Sequence, residues 1–169
     1  LAISAYSMLP PGFPAASKSL NDIQRYDPEL ARQRLSEAGY PDGRGFPGVE
    51  MWLRGGETSP TKDAMEGIQA MLSQNLNINV EIRHIERKIF MDALNGHTLD
   101  LGLVPYGYDY ADASNLLSLW MSNGRHSWRS DQFDQMIVEA GTIVGDETRR
   151  RQVYQDAERL LVEDVGAEI

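Results

Sequence analysis

Asp100-Leu-Gly-Leu-Val-Pro-Tyr-Gly-Tyr-Asp-Tyr-Ala-Asp-Ala-Ser-Asn-Leu-Leu117 begins as a short apolar strand and passes through glycine and tyrosines. It then delivers Asp109 and Asp112 in a turn-like segment ahead of a helix. In an open parallel sheet, ligands are met where the chain leaves the carboxyl end of a strand. A carboxylate held there among aromatic rings suits a cationic or hydroxyl-rich small molecule. The stretch is a binding arrangement; no nucleophile with a base accompanies it.

The residues upstream supply the sheet for such a strand. Residues 1–26 are loop-rich, because Pro10 and Pro11 lack amide donors and bias their predecessors to extended geometry. A first helix is predicted from Pro28 to Ala38, with Asp27 as its cap and Gly39 followed by Pro41 as its stop. Leu30, Ala31, Leu35 and Ala38 are its expected buried stripe. Val49 to Arg54 reads as a strand. Ser59-Pro60 opens a helix with Ala64, Met65, Ile68, Met71, Leu72 and Leu76 at three-and-four spacing. Met65 and Met71 are read there as core. Ile78 to Ile85 is a second strand, a helix follows near Ile89 to Leu94, and Leu99 to Tyr106 is the third strand. Strands separated by helices imply βαβ units and a parallel sheet. Helices at about 114–121, 130–144 and 147–164 complete the pattern, the last with Val153, Ala157, Leu160 and Leu161 inward.

Composition narrows the function. The chain has 169 residues, 41% hydrophobic and 24% charged, as an ordinary globular domain has. A net charge of −9 repels phosphate backbones and anionic lipid, which argues against nucleic acid as a partner. The absence of cysteine excludes disulfides and thiolate metal sites. His84, His97 and His126 show no metal-ligand spacing and are read as isolated surface or packed residues. No phosphate-binding, dinucleotide or hydrolase motif is present, so no catalytic residue and no cofactor is assigned. Arg149-Arg150-Arg151 near a helix start reads as a solvated face, with a docking contact as the lesser alternative.

In this order the residues resemble a known family, the extracytoplasmic solute-binding proteins of peptide-type ABC transporters, which include dipeptide, oligopeptide, nickel and some oligosaccharide receptors. Tyr26-Asp-Pro-Glu-Leu-Ala-Arg-Gln-Arg-Leu-Ser-Glu-Ala-Gly-Tyr-Pro-Asp-Gly-Arg-Gly-Phe-Pro47 looks like the family's helix and turn. Ile68-Gln-Ala-Met-Leu-Ser-Gln-Asn-Leu-Asn-Ile-Asn-Val-Glu-Ile82 is similar to the helix and strand that follow. Asp100 to Leu117 resembles the family signature D-L-x-L-x-G-W-x-A-D-Y-P-D-P-x-N-F-L, and Phe133-Asp134 with the Arg149 to Asp164 helix resembles the closing segment.

The resemblance implies an α/β fold: a three-layer lobe of the periplasmic-binding-protein type, with a mainly parallel sheet and a C-terminal helical group. Residues 1–26 would be a hinge-proximal segment and residues 27–169 a partial C-terminal lobe, the rest of the receptor being absent. The chain opens at Leu1-Ala-Ile-Ser4 without Met or a signal peptide and closes at Val165-Gly-Ala-Glu-Ile169, so both ends read as cut. The implied function is capture of a small solute, foremost a short peptide, between two lobes, with delivery to the permease subunits of an ABC importer. The implied protein is a periplasmic or extracellular monomer, membrane-associated only through the transporter or an upstream anchor. A ligand-sensing domain of a transcription regulator, or a receptor for an oligosaccharide or nickel complex, is the alternative.

Asp109 matches the family's acid that receives a peptide's α-ammonium, and this reading is set against an Asx-turn or helix cap. For Asp112 capping leads over ligand contact. Tyr106 stands where the family has Trp, and is divided between pocket wall and plain strand residue. Tyr108 and Trp128 are further wall candidates, and Asn115 is expected to brace the loop. The chain departs from the pattern at Pro105, Tyr108, Ala111, Ala113 and Arg87. Leu103 stands where oligopeptide receptors often carry a base for the ligand's carboxylate.

Overall fold

The computed structural model describes residues 7–20, 22–56 and 58–164. The readings made on Leu1–Ser4 and Val165–Ile169 lie outside the described residues. The chain divides into two compact units: residues 26–106, and residues 1–25 together with 107–169. We call them the sheet unit and the helical unit. The N-terminal segment thus folds with the C-terminal helices.

The sheet unit contains α1 (Pro28–Glu37), β1 (Val49–Arg54), α2 (Ser59–Leu76), β2 (Val80–Ile85), α3 (Arg87–Asn95) and β3 (Leu101–Leu103). Its strands are parallel in the order β2-β1-β3, with Met51 opposite both Ile82 and Leu101. The chain steps from β1 to β2 through α2, then back past β1 to β3 through α3. Right-handed crossovers in opposite directions place α2 and α3 on opposite faces. Side chains obey this: Met51, Leu53 and Val80 pack with Met65 of α2, and Leu101 and Leu103 join the same cluster. Gly102, between them, faces the other way. A methyl group there would lie 3.2 Å from the Phe90 ring of α3 and 2.9 Å from Leu99, so only glycine lets α3 approach this strand.

Local chemistry explains the element ends. Asp27 accepts from the Leu30 amide at 3.0 Å with Pro28 in the first turn, as the sequence suggests. Asn77 closes α2 in the left-handed conformation at φ 55°. β3 is shorter than predicted and stops at Leu103; Pro105, which has no N–H to give a ladder, stands just beyond it. The α2 stripe also needs correction. Met65, Leu72 and Leu76 turn inward, whereas Ala64, Ile68 and Met71 are exposed, Met71 by 53%. Two adjacent apolar stripes share this helix, and the sheet covers one. Likewise no residue of α1 is fully buried: Leu35 packs on the core, and Leu30 and Ala38 face solvent.

The helical unit contains α4 (Ala113–Leu117), continued as a 3-10 turn over Ser118–Trp120, then α5 (Asp131–Thr142) and α6 (Glu147–Glu163). Ser130 caps α5 through the Phe133 amide, and Asp146 caps α6 through the Arg149 amide. Phe133, Ile137 and Ala140 of α5 meet Tyr154, Ala157 and Leu161 of α6, with Leu116 and Leu117 of α4 and Leu9 and Ala15 of the N-terminal segment. Glu158 is fully buried on α6, and its Oε1 accepts from the Leu9 amide at 2.7 Å. Phe133 has no exposed surface, so Phe133→Ala should cost about 3–5 kcal/mol. Urea unfolding followed by tryptophan fluorescence should show a much lower midpoint; an unchanged midpoint would contradict this packing.

Candidate functional site

The loop between the strand exit and α4 is built on its own backbone. The Asp112 amide donates to the Tyr110 carbonyl at 3.0 Å, and the Asn115 amide to the Asp112 carbonyl at 3.0 Å. Asn115 is 6% exposed, and its Oδ1 accepts from the Asp109 amide at 3.2 Å. A buried side-chain amide thus holds the backbone of Asp109 from below, which is the bracing expected of Asn115. The Asp109 side chain is exposed, and among the described residues no hydrogen bond or ion pair engages its carboxylate. Neither the turn nor the cap reading of that side chain is realised.

Asp112 takes the cap. Its Oδ1 accepts from the Ser114 amide at 2.9 Å, and both its oxygens receive the guanidinium of Arg150 from α6, at 2.8 and 2.9 Å. The two side chains are only 25% and 22% exposed. A fork-on-fork pair of this kind is the strong form of ion pair. The Arg150 guanidinium also lies over the buried Tyr154 ring, 4.9 Å from its centre, and donates to the Tyr154 hydroxyl at 3.3 Å. Arg150 holds the Asp112 carboxyl down at about 2, with the Ser114 contacts adding to it against a burial that acts the other way. Burial pushes the Tyr154 hydroxyl up.

The reading of Arg149-Arg150-Arg151 as a solvated face is therefore corrected at its centre. Arg149 and Arg151 are exposed, with Arg149 paired to Glu139 at 2.8 Å. Arg150 stands one helical turn before the buried Tyr154, on the face α6 turns inward. That spacing is visible in the sequence and was the signal available for it.

The remaining residues separate. Tyr106 is half exposed at the end of the sheet unit. Tyr108 and Tyr110 flank Asp109 in the helical unit, each 54% exposed; Tyr108 meets Phe13 edge-on at 5.1 Å, and the Tyr110 hydroxyl lies 3.4 Å from Ser114 Oγ. Sequence reasoning did not single out Tyr110. Trp128 lies in the packing of the helical unit: its ring meets Phe133 edge-on at 5.2 Å, and its Nε1 donates to Asp164 at 2.7 Å. Leu103 packs into the sheet unit's core, so β3 offers no base for a carboxylate.

Other candidates offer less. A shallow depression of about 600 Å³ beside α2 and β2 is lined by Lys62, Glu66, Gln69 and His84. Gln69 there is spent on the Val80 carbonyl at 2.7 Å, and no Phe, Tyr or Trp lines it. His84 and His97 are exposed, and His126 stacks on Trp120 at 3.8 Å. Among the described residues no group of three His, Asp or Glu could hold a metal, and no helix is long and apolar enough to cross a membrane.

The sheet unit is a parallel βαβ arrangement, and the helical unit carries the exposed Asp109 on the loop before α4. The chain belongs to the bacterial extracellular solute-binding proteins, family 5 Middle, whose model matches residues 1–128. It is 25% identical over 139 residues to the periplasmic oligopeptide-binding protein OppA of Salmonella typhimurium, covering 80% of this chain and 25% of that protein. Among solved structures it matches a periplasmic oligopeptide-binding protein of Borrelia burgdorferi with a TM-score of 0.83 and 22% identity, over 94% of this chain and 32% of that one. It also matches Haemophilus influenzae OppA, solved in complex with RPPGFSPFR, with a TM-score of 0.78 and 20% identity over the same shares. These structural likenesses establish the fold. The chain spans roughly a quarter of the length of the curated relatives it matches.

The Asp112 geometry carries a pH dependence. Its carboxyl titrates lower in the folded than in the unfolded chain, so its contribution is complete above the unfolded value near 4 and disappears as pH falls through about 2. Asp112→Asn should cost about 1–2 kcal/mol near neutral pH after allowance for solvent screening. In urea unfolding, the gap to wild type should narrow between about pH 4 and pH 2; a gap independent of pH would contradict the pair.

Proposed function

We propose that the full-length protein is the substrate-binding component of an ABC importer that captures short peptides between two lobes and passes them to the permease. The Asp109 carboxylate carries this reading: it stands open to solvent on a loop braced by Asn115, in a chain of a solute-binding family. Asp109 receives the peptide's α-ammonium. Tyr108 and Tyr110 border it. Asp112 is committed to Arg150 and holds the loop. The relatives named above as oligopeptide-binding support a peptide as the solute, and their periplasmic names support a location outside the cytoplasm.

The energetics fit. An ammonium taken from water needs a counter-charge and hydrogen bonds, and an unengaged carboxylate supplies both. Peptide held against both lobes favours the closed form because it contacts each. With Leu103 in the core, the peptide's carboxylate is met by the rest of the receptor or by water. Binding is therefore anchored at the amino end.

Native mass spectrometry of the full-length protein from its host should show short peptides co-purifying. In calorimetry, Asp109→Asn should weaken binding of such a peptide by about 2 kcal/mol or more, and acetylating the peptide's amino group should cost wild type a similar amount. Equal affinity of wild type and Asp109→Asn would retire the assignment.

A further inference from the structure

We infer that Arg150 is a positioning and specificity residue of the Asp109 loop: clamping and neutralising Asp112, it leaves Asp109 as the loop's one uncompensated carboxylate and so suits the site to a single ammonium. The inference rests on the reading of Asp109 as the ligand's contact. It goes beyond that reading by placing the control of the site on α6, in a residue that does not touch the ligand.

Three observations carry it. Between Gly107 and Asn115 the only carboxylic acids are Asp109 and Asp112, and there is no Lys, Arg or His. Unpaired, the loop would carry two negative charges within a few residues and would favour multiply charged cations. Second, the Arg150 fork uses both Asp112 oxygens at 2.8 and 2.9 Å, while the guanidinium rests on the buried Tyr154 ring at 4.9 Å. The loop is thus attached to the core of the helical unit through a pair that fixes distance and plane together. Third, Asp112 lies between Asp109 and the residue that braces it. The Asp112 carbonyl receives the Asn115 amide at 3.0 Å, and Asn115 Oδ1 receives the Asp109 amide at 3.2 Å. Displacing Asp112 moves both.

The test uses the full-length protein with two probes, trialanine and N-acetyl-trialanine, titrated by calorimetry against wild type, Arg150→Met, Arg150→Lys, Asp109→Asn and the Asp109→Asn/Arg150→Met double variant. Arg150→Met should lose tenfold or more for trialanine and no more than twofold for the acetylated probe. Arg150→Lys should recover part of the loss, since it restores the charge without the fork. The double variant should bind no more weakly than Asp109→Asn alone. Equal losses on both probes would mean a merely structural role and would overturn the inference, as would unchanged trialanine binding in Arg150→Met.

Hydrogen exchange separates this inference from the reading beneath it. Arg150→Met should speed amide exchange across residues 109–115 at least tenfold while leaving α2 unchanged. If wild type ignores trialanine, or Asp109→Asn binds it as wild type does, the ammonium reading fails and the selectivity claim falls with it. Exchange then decides the clamp alone, and unaltered protection of residues 109–115 overturns that too.

Discussion

The bidentate pair between Asp112 and Arg150 is the constraint on which the candidate site depends. The loop after β3 carries two acids, prominent tyrosines and no base, a composition that left free would spread through self-repulsion and solvation. One carboxylate is removed from that contest by being made a structural part, at once the cap of α4 and the partner of α6. The other remains at the surface, engaged by no hydrogen bond or ion pair among the described residues. Breaking such a pair at one end leaves the partner charge half-buried and unpaired, which costs more than forming the pair gains. The geometry of the loop is therefore held by a penalty for leaving it.

The N-terminal segment is tied to the same helix by a different device. Glu158 of α6 is buried and accepts the Leu9 amide at 2.7 Å. Burial pushes its carboxyl up, against smaller pulls from the Leu9 amide, Ser7 and the Met8 amide. Its proton is bound more readily in the folded than in the unfolded chain, so this group adds stability as pH falls, opposite in sign to Asp112. One helix thus fastens the N-terminal segment at Leu9 through one acid and the candidate site through one base. Both contacts lie on the face that carries Tyr154, Ala157 and Leu161 into the core.

The proposed binding at the amino end of a peptide suits this arrangement. A receptor for many peptides gains by recognising what all of them share, and the α-ammonium is common to every sequence. Exposed tyrosines add apolar area at little entropy cost without demanding a particular side chain. On the proposed reading, Leu103, packed in the sheet core, offers no cation at its own position for the peptide's carboxylate.

Much of this was legible in the residues themselves. Asp27 with Pro28, Gly39 and the period of α6 are local signals, and local chemistry decided those ends. The three strands and their parallel pairing followed from alternation with helices. The limits lie where a residue's fate depends on what faces it. Ile68 and Met71 have the same apolar character as Met65 and Leu72, and only the position of the sheet decided which pair turned inward. Arg150 has the charge of its neighbours Arg149 and Arg151, yet one turn of helix sets it over Tyr154 and opposite Asp112, a residue far away in the chain. The sequence by itself determined the elements, their order and the acids available for binding; tertiary structure decided which acid is paired and which is open, because a charge is cancelled only by a partner that packing has brought within hydrogen-bond distance.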